Sequence, residues 1–155
     1  MPSNPDDSDE GLRIAARLGL EPLPAEGGVF RRTYSSPGMT AIYYLLAGQE
    51  FSAIHRLRNS DELFLFHAGA PLRTLLLGSG REREEMIGSD VLAGQSPQLF
   101  VPRGVWQGAA STGGWSLVST VVLPGFDWDD FQLGDRADLI DAFPGWSQQI
   151  AALTH

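Results

Sequence analysis

Turn signals set the tightest limit on what this chain can become. Its 18 glycines and 10 prolines are spread along 155 residues as short turn signals, not gathered into a low-complexity run. They separate short runs rich in β-branched and aromatic side chains, which favour extended backbone. Residues 29–34, 40–46, 51–57, 62–67, 72–77, 98–101, 105–110 and 115–123 read as strands on this basis. Residues 81–87 are charged and alternating, as suits an exposed edge strand guarded against aggregation. The spacing predicts roughly eight to ten strands with turns every eight to twelve residues, an all-β sandwich or small barrel.

Helices are expected only at the two ends. Residues 1–8 read as an irregular polar tail. Leu12, Ala15, Ala16 and Leu18 then form the apolar stripe of a short helix, with Asp9 and Glu10 at its favourable N-terminal end and Gly19 to stop it. Asp135 to Ile140 looks like a helix start, and residues 147–153 a second short helix. With no internal repeat and no linker, the chain divides into a tail and helix over residues 1–18, one β-domain over 19–145, and a C-terminal helix or tail over 146–155.

Charge and composition narrow the partners. The formal net charge of −8 repels phosphate backbones, so no nucleic acid is expected, and no polybasic segment serves anionic lipid. No apolar run approaches the roughly 20 residues that cross a bilayer, so no membrane is expected. Cysteine is absent, which excludes disulfides, thiol nucleophiles and thiolate metal sites and fits a reducing compartment. The polar, acidic N-terminus does not read as a signal peptide, and a cytoplasmic location is expected.

The chemistry points to residues 51–69, FSAIHRLRNSDELFLFHAG. Period-two alternation puts Phe51, Ala53, His55 and Leu57 on one face of a strand, and Glu62, Phe64 and Phe66 on one face of the next, with the polar residues 58–61 as the turn of a hairpin. If the two faces meet, an imidazole and a carboxylate share an apolar interior, where each needs a partner or a purpose. A satisfied core histidine and a turn-anchoring glutamate are the plain alternatives. Gln98 and Gln107 are candidate hydrogen-bonding groups of the same pocket, Phe51 and Trp106 a candidate wall on which a ring stacks, and Tyr44 a candidate acid; ordinary packing is the competing reading for each. His67 is expected to face away from His55, and Asp127, Asp129 and Asp130 to form a solvated acidic loop.

Several motifs occur in a characteristic order. They are GG-F-R-TY over residues 27–34, TAIYYLL over 40–46, S-HRL with SDE over 52–62, AGAPL over 68–72, GQ-PQ with VP-G-WQ over 94–107, W-LV over 115–118, and PGFD with DF-LG-R over 124–136. Together they resemble a subgroup of the cupin superfamily whose function is unassigned, across about residues 18–145. The resemblance implies a double-stranded β-helix, or cupin jelly-roll barrel, commonly a homodimer and similar in shape to dTDP-sugar epimerases. In the general cupin pattern two motifs hold a divalent metal. His55, Glu62 and Gly69 match positions of the first, but Leu57 stands where a second histidine would be, and Gln107 replaces the histidine of the second. The implied shell is therefore reduced to His55, Glu62 and the amide of Gln107, a set better suited to a hard cation than to zinc or iron. The chain also departs from the subgroup, with Phe64, Leu65 and His67 replacing its Trp, His and Tyr, and Arg32 replacing an acidic residue.

The expectation is a small-molecule-binding barrel with His55 and Glu62 as an acid–base pair, acting as a sugar or carbonyl isomerase or epimerase and with Gln98 and Gln107 orienting the ligand. A non-catalytic binding module and a metal-dependent cupin with the reduced shell are the alternatives.

Overall fold

The computed structural model describes residues 5–155. The order of elements is helix α1 (Pro5–Leu18), strands β1 (Glu21–Pro22), β2 (Val29–Ser35), β3 (Thr40–Ala47), β4 (Phe51–Leu57), β5 (Asp61–Gly69), β6 (Leu72–Leu77), β7 (Arg83–Ile87), β8 (Gln98–Val101), β9 (Trp106–Ser111), β10 (Trp115–Leu123) and β11 (Phe131–Leu133), then helices α2 (Arg136–Ala142) and α3 (Ser147–Ala152). The strands form two antiparallel sheets: β1-β2-β3-β10-β5-β8 and β11-β4-β9-β6-β7. This is the double-stranded β-helix that the sequence led us to expect.

Apolar residues from the two inner faces meet between the sheets. Tyr44, Leu46, Phe64, Leu72, Leu76, Val101, Val105 and Val118 make this interior core. A second core lies outside the five-stranded sheet, where Ile54, Leu75 and Leu77 are covered by Leu139 of α2 and by Ile150 and Leu153 at α3. Asp135 caps α2 by accepting a hydrogen bond from the Asp138 amide at 3.0 Å. Arg136 fastens the C-terminus, its Nε donating to the Thr154 hydroxyl at 2.8 Å. The charged β7 forms the edge of its sheet, as its alternation suggested.

Four differences from the sequence reading have physical causes. Pro5 to Ser8 are the first turn of α1 rather than tail, Pro being well suited to a helix start; residues 1–4 lie outside the described part. β11, a three-residue strand, carries too short an alternation to be seen and lies in the tail after residue 126. Asp130 is not a solvated acid but is buried: its Oδ1 accepts from both the backbone and the side-chain amide of Asn59, each at 2.8 Å. Finally, β4 and β5 are not a hairpin. They belong to opposite sheets, and residues 58–60 carry the chain across from one to the other. Asp130 stitches that crossing, and Ser60 adds a 2.8 Å bond to the Pro124 carbonyl. His55 and Glu62 consequently approach from facing walls of the barrel rather than from neighbouring strands.

Candidate functional site

β4 departs from strict alternation. Its register against β9 shifts between Ser52 and His55, the mark of a bulge that adds a residue and changes which side chains share a face. Phe51 consequently lies apart from His55: it packs with the outer core and against the His155 ring, centroids 4.9 Å apart. Ser52 takes the inward direction. Trp106 also packs in the outer core, with the Arg56 guanidinium 4.5 Å above its ring. The ring wall expected from Phe51 and Trp106 is therefore not formed. Gln98 is exposed on β8 and outside the pocket.

The pocket, about 70 Å3 in volume, opens at one side of the barrel. His55, Glu62, Thr120 and Glu26 supply its polar lining, Leu23, Ile42, Leu57 and Val122 its apolar floor, and Phe30, Arg32, Phe126 and Trp128 its rim. His55 is 3% exposed and its ring stacks on Phe131 at 5.1 Å and 21°. Its Nδ1 lies 2.7 Å from the Ala53 carbonyl. A carbonyl only accepts, so Nδ1 carries a hydrogen and Nε2 is the atom turned toward the pocket. Nε2 stands 3.3 Å from Glu26 Oε1, and one proton is needed between them for that contact to be attractive.

Glu62 is 8% exposed. Its Oε1 accepts a 3.0 Å bond from the side-chain amide of Gln107, which faces His55 in register on β9. Burial raises the carboxyl from 4.5 to about 7; the His55 charge, the Gln107 amide and the Thr120 hydroxyl oppose the rise, while Glu26 adds to it. Near neutrality Glu62 is thus present in both protonation states, the condition in which a carboxyl both takes and gives protons.

Glu26 is the site residue that sequence reasoning missed. It sits in the loop before β2, between Ala25 at φ +65° and Gly27 and Gly28 at φ +100° and +75°. Only glycine fits at Gly28, where an added Cβ would stand 2.7 Å from both Leu46 and Tyr44. The loop is pressed onto the barrel: the Ala53 amide donates to the Glu26 carbonyl at 2.8 Å, and the Ser52 hydroxyl to Glu26 Oε2 at 3.1 Å. Tyr44, considered as an acid, holds this loop instead. It does not line the pocket; its hydroxyl donates to the Gly27 carbonyl at 2.6 Å. Burial, reinforced by the Glu26 charge, pushes its phenol well above the ordinary value of 10, so it is a neutral donor at physiological pH. The signal for Glu26 was an acidic residue flanked by Pro24 and a Gly-Gly pair, a sequence that bends sharply enough to aim it inward.

His67 is exposed and lies against Ser119 and Tyr43, away from His55 as expected. The residues suit a resident metal poorly. Leu57 offers no donor, Gln107 turns its NH2 group rather than its oxygen toward Glu62, and no three His, Cys, Asp or Glu among the described residues are disposed to hold an ion. No helix among the described residues is long and apolar enough to cross a membrane.

Comparison with known proteins agrees with this architecture. No curated protein matches the chain. A hypothetical protein from Leishmania major superposes with a TM-score of 0.85 at 29% identity, covering 93% of this chain and 98% of its own. A Shewanella oneidensis protein gives 0.85 at 34% identity, covering 92% and 96%. A dTDP sugar isomerase from Desulfovibrio desulfuricans shares the fold, with a TM-score of 0.55 at 21% identity over 75% of this chain and 80% of its own. Residues 13–134 match the family described as Cupin superfamily (DUF985), and the chain belongs to that family.

Proposed function

We propose that this barrel is an acid–base enzyme for a small carbonyl compound, an isomerase or epimerase that moves a proton on the carbon beside the carbonyl. The observation that carries the reading is Glu62: a buried carboxyl brought to about 7 and lining one small pocket with the imidazole of His55. A buried acid poised at neutrality is more characteristic of a working site than of a structural contact. Ionised Glu62 takes the proton from carbon. The C–H electron pair moves into the adjoining C–C bond, and the carbonyl π pair moves to oxygen, which receives a proton from His55 Nε2. A proton then returns from Glu62 to either carbon of the enediol, or to the other face of the first, while the hydroxyl on the remaining carbon gives its proton back to His55 Nε2 and becomes the carbonyl, which completes isomerisation or epimerisation. Gln107 holds the Glu62 carboxylate, and Glu26 steadies the proton on His55.

Solvent exchange tests this directly. The protein is incubated in D2O with small aldoses, ketoses and hydroxy- and oxo-carboxylates, and loss of the proton beside the carbonyl is followed by NMR. Exchange in the wild type that disappears in Glu62→Gln is the expected result. A compound that stabilises the protein against heat yet shows no exchange would instead make the barrel a binding module.

A further inference from the structure

The rim of the pocket carries one cation. Arg32 lies on β2, paired with Ile42, which is paired in turn with Thr120; Arg32, Ile42 and Thr120 all line the pocket. Arg32 is exposed and makes no ion pair among the described residues. Its sequence neighbour Arg31 points the other way and is occupied, its Nη1 donating to the Leu18 carbonyl at 3.0 Å. Trp128 lines the same pocket and is 48% exposed although it is large and apolar. The indole is not loose: Phe126 and Phe131 meet it edge-on at 4.9 Å and 5.1 Å, and Phe131 in turn stacks on His55. The pocket is thus polarised, with two carboxylates inside and, toward the outside, a free guanidinium and a braced aromatic ring.

From this polarity we infer that the ligand is a small carboxylate with a carbonyl or hydroxyl on its carbon chain, bound with the carboxylate outward on Arg32 and the reacting carbon inward. An anionic group at the inner end would meet Glu26 and Glu62 in a low-dielectric space, in a chain whose net charge is already −8. The rim is the place where negative charge is favoured, and the planar guanidinium fork matches a carboxylate with two parallel hydrogen bonds. The Trp128 face covers the apolar side of the carbon chain. A volume of about 70 Å3 limits the inner part of the ligand to a few heavy atoms. The inference rests on the acid–base reading for which carbon reacts, but not for which end is charged.

The test is a binding titration with three- to six-carbon hydroxy- and oxo-carboxylates and their neutral amides, against wild type, Arg32→Gln, Arg32→Lys and Arg31→Gln. At least one carboxylate is expected to bind the wild type and raise its melting temperature while its amide does not. Arg32→Gln is expected to weaken that binding roughly tenfold or more, Arg32→Lys less, and Arg31→Gln not at all. Binding is also expected to weaken with added salt, since the contact is at a solvent-exposed rim. Amides that bind as well as acids, an Arg32→Gln variant with unchanged affinity, or a wild type that binds none of the carboxylates would each overturn the inference. The two readings fail separately: carboxylates held through Arg32 without solvent exchange would sink the reaction and keep the orientation. Exchange on neutral sugars that is indifferent to Arg32 would do the reverse.

Discussion

Replacing Glu62 by Gln should make the protein more stable at alkaline pH, and the size of the gain follows from the site. The carboxyl titrates at 4.5 when unburied and at about 7 in the barrel, burial being the main cause. Below 4.5 it is protonated in both the folded and unfolded chains, and folding has no charge to desolvate. Between 4.5 and about 7 the folded chain holds a proton that the unfolded chain releases, so stability falls as pH rises. Above about 7 the loss is complete. At roughly 1.4 kcal/mol per pH unit the full loss is about 3 kcal/mol. Glutamine keeps an oxygen able to accept from the Gln107 amide and never ionises. Its stability curve should therefore lack this component.

The assay is urea unfolding of both proteins at intervals from pH 4.5 to 8.5. The difference between them should grow by about 3 kcal/mol across that range, most steeply between pH 5 and 7. In a chain of 155 residues this corresponds to a melting-temperature difference that widens by roughly 5 to 12 °C. Parallel curves would show that Glu62 titrates in the folded protein as it does in the unfolded one. The account of a buried carboxyl poised near neutrality, and the acid–base role built on it, would then be refuted.

Three further outcomes check the supports of the site. Tyr44→Phe removes the donor to the Gly27 carbonyl and should lower stability by about 1–2 kcal/mol in urea unfolding, with a further loss of ligand affinity as the Glu26 loop slackens. Gly28→Ala places a Cβ 2.7 Å from Leu46 and Tyr44 at φ +75°, and should lower stability by about 2 kcal/mol or more in the same measurement. Gln98→Ala, on an exposed position outside the pocket, should leave both stability and ligand-dependent heat stabilisation within about 0.5 kcal/mol of wild type.

What could be read from the sequence, and what could not, divides along the distinction between local and non-local information. The strand runs, the edge character of β7 and the helices at the two ends are local, and each appears in place. Glu62 and Phe64 share the interior face because β5 alternates cleanly through that part. In β4 the alternation is interrupted, and no single-sequence period can count an inserted residue; strict alternation thus puts Phe51 on His55's face, although the fold sends it to the outer core. Trp106 failed for a related reason: both faces of the five-stranded sheet are buried, one by the barrel core and the other by α2 and α3, so an apolar residue there does not reveal which side it faces. The assignment of β4 and β5 to opposite sheets is non-local altogether. Glu26 is in a loop shaped by positive φ values, where neither period nor propensity speaks.

The two substitutions that impoverish the metal pattern are also what make Glu62 a plausible proton carrier. A bound cation would hold a neighbouring carboxylate ionised, since opposite charge favours the charged form. Here the position across the barrel is filled by Leu57, buried and without a donor, and the facing strand offers Gln107, a neutral amide. Desolvation is left as the largest influence, with only the partial opposition of His55, Gln107 and Thr120, and the carboxyl settles at about 7 rather than at 4.5. His55 in turn has Glu26 at its Nε2, and on the proposed reading its imidazole both gives and takes a proton there. On the proposed reading such an interior stores and moves protons, and the exposed Arg32 guanidinium at its rim selects the molecules that bring their carbon to it.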